Sequence, residues 1–222
     1  MIQTDQGTIH YKDEVIRKLI HLISLSIPVI YYFISRDWAV LILGILTFAA
    51  LVIDLGRYFY PAVGKIFYNI FGFLLRKHEV DSNKKNLNGA TYVLISALVC
   101  VLIFPKVFFV TAFSVLIISD TLAALIGRKY GKTKFLSKSF EGTLTFFISA
   151  SIVVLFTPKV EGRLEEYLIG FAAASVGCIV ENISFGFADD NLSIPLSIGL
   201  TMWFLYLIFL PDMQLILPNV PM

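Results

Sequence analysis

A chain of 222 residues that is 57% hydrophobic and 15% charged, with a mean hydropathy of +0.80, is too apolar for a water-soluble domain. Soluble domains carry about 25% charged residues. The net charge of +2 offers no electrostatic footprint for nucleic acid, and the apolar residues lack the alternating segments of about 10 residues that build a membrane barrel.

The expected fold is therefore all-α, a polytopic transmembrane bundle, since a bilayer core is crossed by roughly 20 apolar residues in helix. The first apolar run, 19–35, lacks an A-x-A-like cleavage site and carries Arg17, Lys18 and His21 at its entrance, so it reads as a retained helix. Glu14, Arg17, Lys18 and His21 share one helical face, suited either to phosphate or to anchoring at headgroups. The second run, 38–55, ends in Asp54, with Arg57 just beyond. Residues 61–77 place Val63, Ile66, Phe67, Ile70, Phe71, Leu74 and Leu75 at helical spacing, as in an amphipathic helix lying in the interface. Asn88-Gly89-Ala90-Thr91 opens the third run, 90–104, as a polar helix start. Runs 107–126, 144–157, 167–184 and 194–210 follow, for about seven spans, of which the third and fifth are short. No polar stretch is long enough for a separate domain, so 1–222 reads as a single membrane domain. Cys100 and Cys178 lie inside apolar runs and read as small hydrophobes.

Fourteen of the eighteen Lys and Arg residues fall at the N-terminus and in the second and fourth connections. Only Arg36, Lys106, Lys159 and Arg163 fall on the other side. The positive-inside rule makes the fourteen-residue side cytosolic, and that location excludes use of the Asn182 and Asn191 glycosylation sequons. His21, Asp54, Asp120, Glu141, Glu181, Asp189 and Asp190 all fall on the same side, and the outer halves of the helices are expected to hold no buried charge. Transporters place ionisable groups near the midplane or along a path. One-sided clustering suits a site where a water-soluble reactant meets a membrane-dissolved one.

Three motifs carry the chemistry. Asp120, Ala124, Gly127 and Gly131 are spaced 4, 3 and 4 apart, giving a small, unobstructed face with a carboxylate at one end and basic residues at its mouth. The alternative is an ion pair with a small-residue packing seam. Lys138-Ser139-Phe140-Glu141-Gly142 opens the fifth run, either as a helix cap or as a phosphate-binding corner at a helix N-terminus, with Lys132 nearby. Glu181 and Asp189-Asp190-Asn191 supply hard oxygen ligands suited to Mg²⁺ bridging to substrate phosphates, or form a solvated acidic turn.

In order and spacing, these motifs resemble the CTP-dependent lipid-alcohol kinases: dolichol, phytol and farnesol kinases and yeast-type diacylglycerol kinase. That group is related in turn to the phosphatidate cytidylyltransferases. The resemblance runs from Arg17-Lys18-x-x-His21 through Asn88-Gly89-Ala90-Thr91 to Asp189-Asp190-Asn191-Leu192-x-Ile194-Pro195. Its most specific parts are Asp120-x-x-Ala123-x-x-x-Gly127-x-x-x-Gly131-Lys132 and Lys138-Ser139-x-Glu141-Gly142. Ser119 departs from the family, which usually has Gly before the Asp.

The resemblance implies phosphorylation of a lipid alcohol, an isoprenoid alcohol or diacylglycerol, with CTP as donor and Mg²⁺ as cofactor. It implies catalytic or metal roles for Asp120, Glu181, Asp189 and Asp190, with Glu141 beside them. Nucleotide and phosphate contacts fall to Gly127, Gly131, Lys132, Lys138, Ser139, Gly142, Arg17, Lys18 and His21. Asn88, Gly89, Thr91 and Asn191 fall on the substrate side. No Walker-type loop is present, so the nucleotide site is of another kind. A cytidylyltransferase acting on phosphatidate and a non-enzymatic small transporter are the alternatives.

Overall fold

A computed structural model of the chain describes residues 10–72, 75, 86–183 and 189–221. The first apolar run becomes two helices, α1 (Tyr11–Ile23) and α2 (Ser26–Phe33). The break falls at Ser24 and Leu25 because Pro28, four residues after Ser24, has no N–H to donate and its ring would crowd the Ser24 carbonyl. Next come α3 (Arg36–Phe59) and α4 (Pro61–Phe71), with a proline at the first position of α4. The helix α5 (Gly89–Ile103) and the long α6 (Lys106–Tyr130) follow. A short antiparallel hairpin of β1 (Lys134–Phe135) and β2 (Lys138–Ser139) then leads into α7 (Phe140–Phe156). The chain finishes with α8 (Leu164–Ile183) and α9 (Asp190–Phe209). The hairpin is the one departure from an all-α expectation among the described residues. The amphipathic helix expected over 61–77 forms over Pro61–Phe71 among the described residues. Leu74, Arg76, Lys77, Lys84, Lys85 and Ser184 lie outside the described residues.

Tyr11–Phe33, Arg36–Phe59, Lys106–Tyr130, Leu164–Ile183 and Asp190–Phe209 are long and apolar enough to cross a membrane. Gly89–Ile103 and Phe140–Phe156 are apolar but shorter, at 15 and 17 residues. These are the runs that were short in the sequence, and they reach roughly 23 and 26 Å at 1.5 Å per residue. The exterior is strongly apolar, with Ile45, Phe48, Val52, Phe156, Phe204 and Leu207 all exposed. Such a surface calls for hydrocarbon as its solvent.

The core is built around α6, whose Val107, Phe108, Phe109, Phe113, Leu116 and Ile117 are fully buried. A helix apolar on all sides belongs in the middle of a bundle, and α1, α2, α5, α7 and α9 pack on it. Helix α8 packs on α7 and α9, and α3 packs on α5. Edge-to-face ring contacts tie the layers together: Tyr31 on Phe109 at 5.1 Å and Phe108 on Tyr206 at 4.8 Å.

At the end of the bundle remote from the acidic motifs, the polar groups serve the backbone. Arg36 donates to the carbonyls of Val101 and Leu102 at the end of α5. Lys106 donates to the carbonyls of Ile34 and Pro221. Glu166 accepts the amides of Val160, Glu161 and Arg163 and the hydroxyl of Tyr206. The expectation of no buried charge at this end is corrected here, since Glu166 is fully buried. Four donors satisfy its carboxylate, which is what makes the burial tolerable.

Helices α6 and α7 meet backbone to backbone at their glycines. A Cβ added at Gly142 would lie 3.2 Å from the Gly127 Cα and 3.2 Å from the Ala123 carbonyl oxygen. Both neighbours are backbone and neither can rotate aside, so Gly142→Ala should cost about 1–3 kcal/mol. Thermal unfolding in detergent would show it as a lowered midpoint. Gly44→Ala, with nothing within 4 Å of the added methyl, should hold or raise the midpoint, since alanine gains up to about 1 kcal/mol over glycine in a helix.

Candidate active site

The polar face of α1 zips onto the last turns of α6. Lys18 donates to Asp120 Oδ2 at 2.5 Å, with both side chains less than one-tenth exposed. His21 Nε2 lies 3.7 Å from the same oxygen. Four residues before Lys18, the fully buried Glu14 faces Arg128 at 3.5 Å. Arg17 lies partly buried on this helix. The spacing that put Glu14, Arg17, Lys18 and His21 on one face thus serves a helix contact in which α1 neutralises the buried acid of α6.

A second lysine gathers the other acids. Lys138, on β2, donates to Glu181 Oε1 on α8 at 2.6 Å and to Asp190 Oδ2 on α9 at 3.0 Å. Burial opposes its charge, but the carboxylates of Asp190, Glu181 and Asp120 outweigh that and raise it above the ordinary lysine value. It therefore stays protonated throughout the physiological range. Glu181 and Asp190, from two helices, share the Lys138 ammonium, and Asp120 on a third helix, paired with Lys18, lies within range of its charge.

The hairpin that presents Lys138 turns tightly through Leu136 and Ser137, with Leu136 at φ +50°, a strained left-handed conformation for leucine. Asn182 holds the turn. Its Oδ1 accepts the amides of Ser137 and Lys138 at 2.8 and 3.2 Å, and its Nδ2 donates to Thr143 Oγ1 on α7. This fully buried amide, next to Glu181, was read in the sequence only as part of a sequon. The signal that could have found it is a polar doublet, Glu181-Asn182, inside an otherwise apolar helix, where each uncompensated polar group is costly.

Several residues expected at the nucleotide have local structural duties. The face carrying Gly127 and Gly131 is not an open one. A Cβ on Gly127 would meet Ser139 Oγ at 3.1 Å and Gly142 Cα at 3.3 Å, and one on Gly131 would clash with the Gly127 carbonyl and Ser139. The small residues make a packing seam between α6 and α7, and Gly142 is its other half. Ser139, almost fully buried, caps α7 by accepting the Gly142 amide at 3.2 Å. Glu141 accepts the Thr133 amide at 3.2 Å and braces the hairpin. Lys132 is exposed at the hairpin mouth.

Two helix starts complete this end. Asn88 caps α5, accepting the Thr91 amide at 3.0 Å, with Gly89 as the first helical residue and Thr91 buried. Asp189 caps α9, accepting from both the amide and the side chain of Asn191 through one oxygen.

Among the described residues, no three His, Cys, Asp or Glu side chains stand close enough to hold a metal ion together. The expected four-carboxylate cage of Asp120, Glu181, Asp189 and Asp190 is thus not formed: lysines sit between the acids and Asp189 is committed to its cap. The donors still suit a hard cation. Glu181 Oε2 and Asp190 Oδ1 are buried with no hydrogen-bond partner, and three carboxylates face two lysines. Such a set fits a magnesium ion that takes one or two carboxylates and draws its other ligands from phosphate and water.

The chain is 32% identical over 182 residues to the uncharacterized protein RP860 of Rickettsia prowazekii, a match covering 82% of this chain and 89% of that one. It is 27% identical over 157 residues to the CTP-dependent diacylglycerol kinase 1 of Schizosaccharomyces pombe, covering 64% of this chain and 69% of the kinase. No protein-family model and no solved structure matches.

Removing one partner of a buried pair strands the other charge. Lys18→Met should therefore destabilise the protein by about 3–5 kcal/mol, measured by denaturant or thermal unfolding in detergent. The double variant Lys18→Met, Asp120→Asn should recover part of that loss.

Proposed function

The chain belongs to the same family as the Rickettsia prowazekii protein, and we propose that it is a CTP-dependent kinase that phosphorylates a membrane-dissolved lipid alcohol. The observation that carries this reading is the gathering of buried Asp120 and Glu181 and half-buried Asp190, from three helices, with Lys18 and Lys138 at one end of an apolar bundle. The similarity to the Schizosaccharomyces pombe kinase supports CTP as donor and a lipid hydroxyl as acceptor. The alcohol is an isoprenoid alcohol or diacylglycerol. All seven apolar helical units cross the bilayer, with the N-terminus and the acid cluster on the cytosolic side, where fourteen of eighteen basic residues fall.

Phosphoryl transfer asks a protein mainly for positioning and charge neutralisation. Lys138 and Lys18 neutralise the γ-phosphate, and Lys132 and Lys134 draw the triphosphate to the hairpin mouth. Asp120 together with Glu181 or Asp190 would hold a magnesium ion, which would supply further neutralisation of phosphate charge. The lipid hydroxyl oxygen attacks the γ-phosphorus, and the bond to the β–γ bridging oxygen breaks, so that CDP leaves. The hydroxyl proton passes to Asp190 Oδ1 or Glu181 Oε2, buried carboxylate oxygens of this cluster that have no hydrogen-bond donor among the described residues. Asn88 and Thr91 at the start of α5 and Asn191 at the start of α9 line the lipid side.

The test is incubation of purified protein in mixed micelles with labelled CTP or ATP, Mg²⁺, and a panel of polyprenols and diacylglycerol. The expected products are a lipid phosphate and CDP, and chelation of Mg²⁺ should abolish them. Asp120→Asn should lower turnover by about 10³-fold, measured on the fraction that thermal unfolding in detergent shows to be folded, since the change also strands the Lys18 ammonium. Pyrophosphate release with phosphatidate would identify a cytidylyltransferase instead, and no nucleotide consumption with any lipid would leave the transporter reading.

A further inference from the structure

The inner end of α3 carries a second buried ion pair that the phosphoryl-transfer reading does not use. Asp54 is fully buried and Arg57 nearly so. Arg57 Nε lies 2.9 Å from Asp54 Oδ1 as an ion pair and donates to the Asp54 carbonyl at 3.2 Å, and its Nη2 donates to the Asn86 carbonyl and to the Tyr58 hydroxyl, both at 2.9 Å. The same guanidinium lies over the rings of Phe67 and Tyr68 on α4, at 4.7 and 5.8 Å. The other oxygen of Asp54 takes the amide of Asn88 at 2.7 Å, and Asn88 in turn caps Thr91. Tyr92, the next residue along α5, lies within electrostatic range of both Asp54 and Asp189.

Two further features make this a coupling and not only a brace. Helix α4 presents Ile66, Ile70 and Phe71 outward and buries Phe67 against Arg57, so the bilayer surface is what keeps it seated. The seat is also close-fitting: a Cβ at Gly64 would lie 2.8 Å from the Arg57 carbonyl oxygen. Through Arg57 and Asp54, the position of α4 sets the backbone of the α5 entrance.

We infer that Arg57 is a positioning residue that couples the seating of α4 at the membrane surface to the placement of Asn88 and Thr91 beside the reacting lipid. The lipid-facing role of those two residues rests on the kinase reading; the mechanical coupling does not. Lysine is a poor substitute, since it is a compact point charge without the planar fork that here serves a carboxylate, a carbonyl and two rings at once.

The experiment is amide hydrogen exchange in nanodiscs for the unmodified chain and for Gly64→Ala, Arg57→Lys and Phe67→Leu. Each variant should speed exchange at Asn88 and Thr91 about 10-fold, as expected when a local unit is loosened, while amides in α6 and α7 keep their protection. Unchanged exchange at Asn88 in Arg57→Lys and Gly64→Ala would overturn the coupling, and so would uniform acceleration across the chain. Phe67→Leu carries the measurement if Gly64→Ala fails to fold. Exchange requires no activity, so this result stands apart from the kinase assay. Where activity is present, Arg57→Lys should raise KM for the lipid alcohol about 10-fold, a tenfold loss corresponding to about 1.4 kcal/mol, and leave KM for CTP within about twofold. An unchanged lipid KM beside faster exchange would overturn the positioning role.

Discussion

Ionised carboxylates cannot stay inside an apolar bundle without partners, and that constraint organises one end of this molecule. Asp120 stands on the most buried helix of the fold, where an unpaired charge would be strongly disfavoured. The pairing with Lys18 binds α1 to α6. The pairing of Lys138 with Glu181 and Asp190 binds the hairpin to α8 and α9. Helices α1, α6, α8 and α9 and the hairpin are thereby held at a common polar focus. The focus keeps more carboxylates than lysines, an imbalance that suits arriving cations.

The small residues of the α6–α7 seam serve the same end. With Gly127 backed against Gly142, the N-cap Ser139 of α7 packs directly on Gly127 and Gly131 at the end of α6. Asn182 then fixes the hairpin from below, holding a strained turn whose next residue but one is Lys138. The lysine that meets two acids owes its place to a glycine contact and a buried amide, neither of which carries charge.

The two ends of the bundle use polar residues differently. At the far end Arg36, Lys106 and Glu166 are spent on helix termini and loop backbone, where each satisfies groups that hydrocarbon could not. At the acid end the side chains face one another, and carboxylate oxygens of Glu181 and Asp190 have no hydrogen-bond partner among the described residues. Chemistry requires groups of the second kind, which is why the reaction is assigned there.

Much of this was legible in order and spacing. Apolar runs long enough for a bilayer dictate helices because hydrocarbon leaves the backbone no other way to satisfy itself, and the basic residues crowd onto one set of connections. The 4, 3, 4 spacing after Asp120 marked a small-residue face, and the α1 acids and bases fell on one stripe. What that face and stripe touch was decided only in three dimensions. Spacing along a helix says which residues share a side, but not whether a glycine faces a ligand or another glycine. Nor does it say whether a lysine awaits a phosphate or already holds an aspartate. Partners such as Lys18 and Asp120, or Arg57 with Phe67 and Asn88, lie on different elements, and only the packing of those elements brings them together.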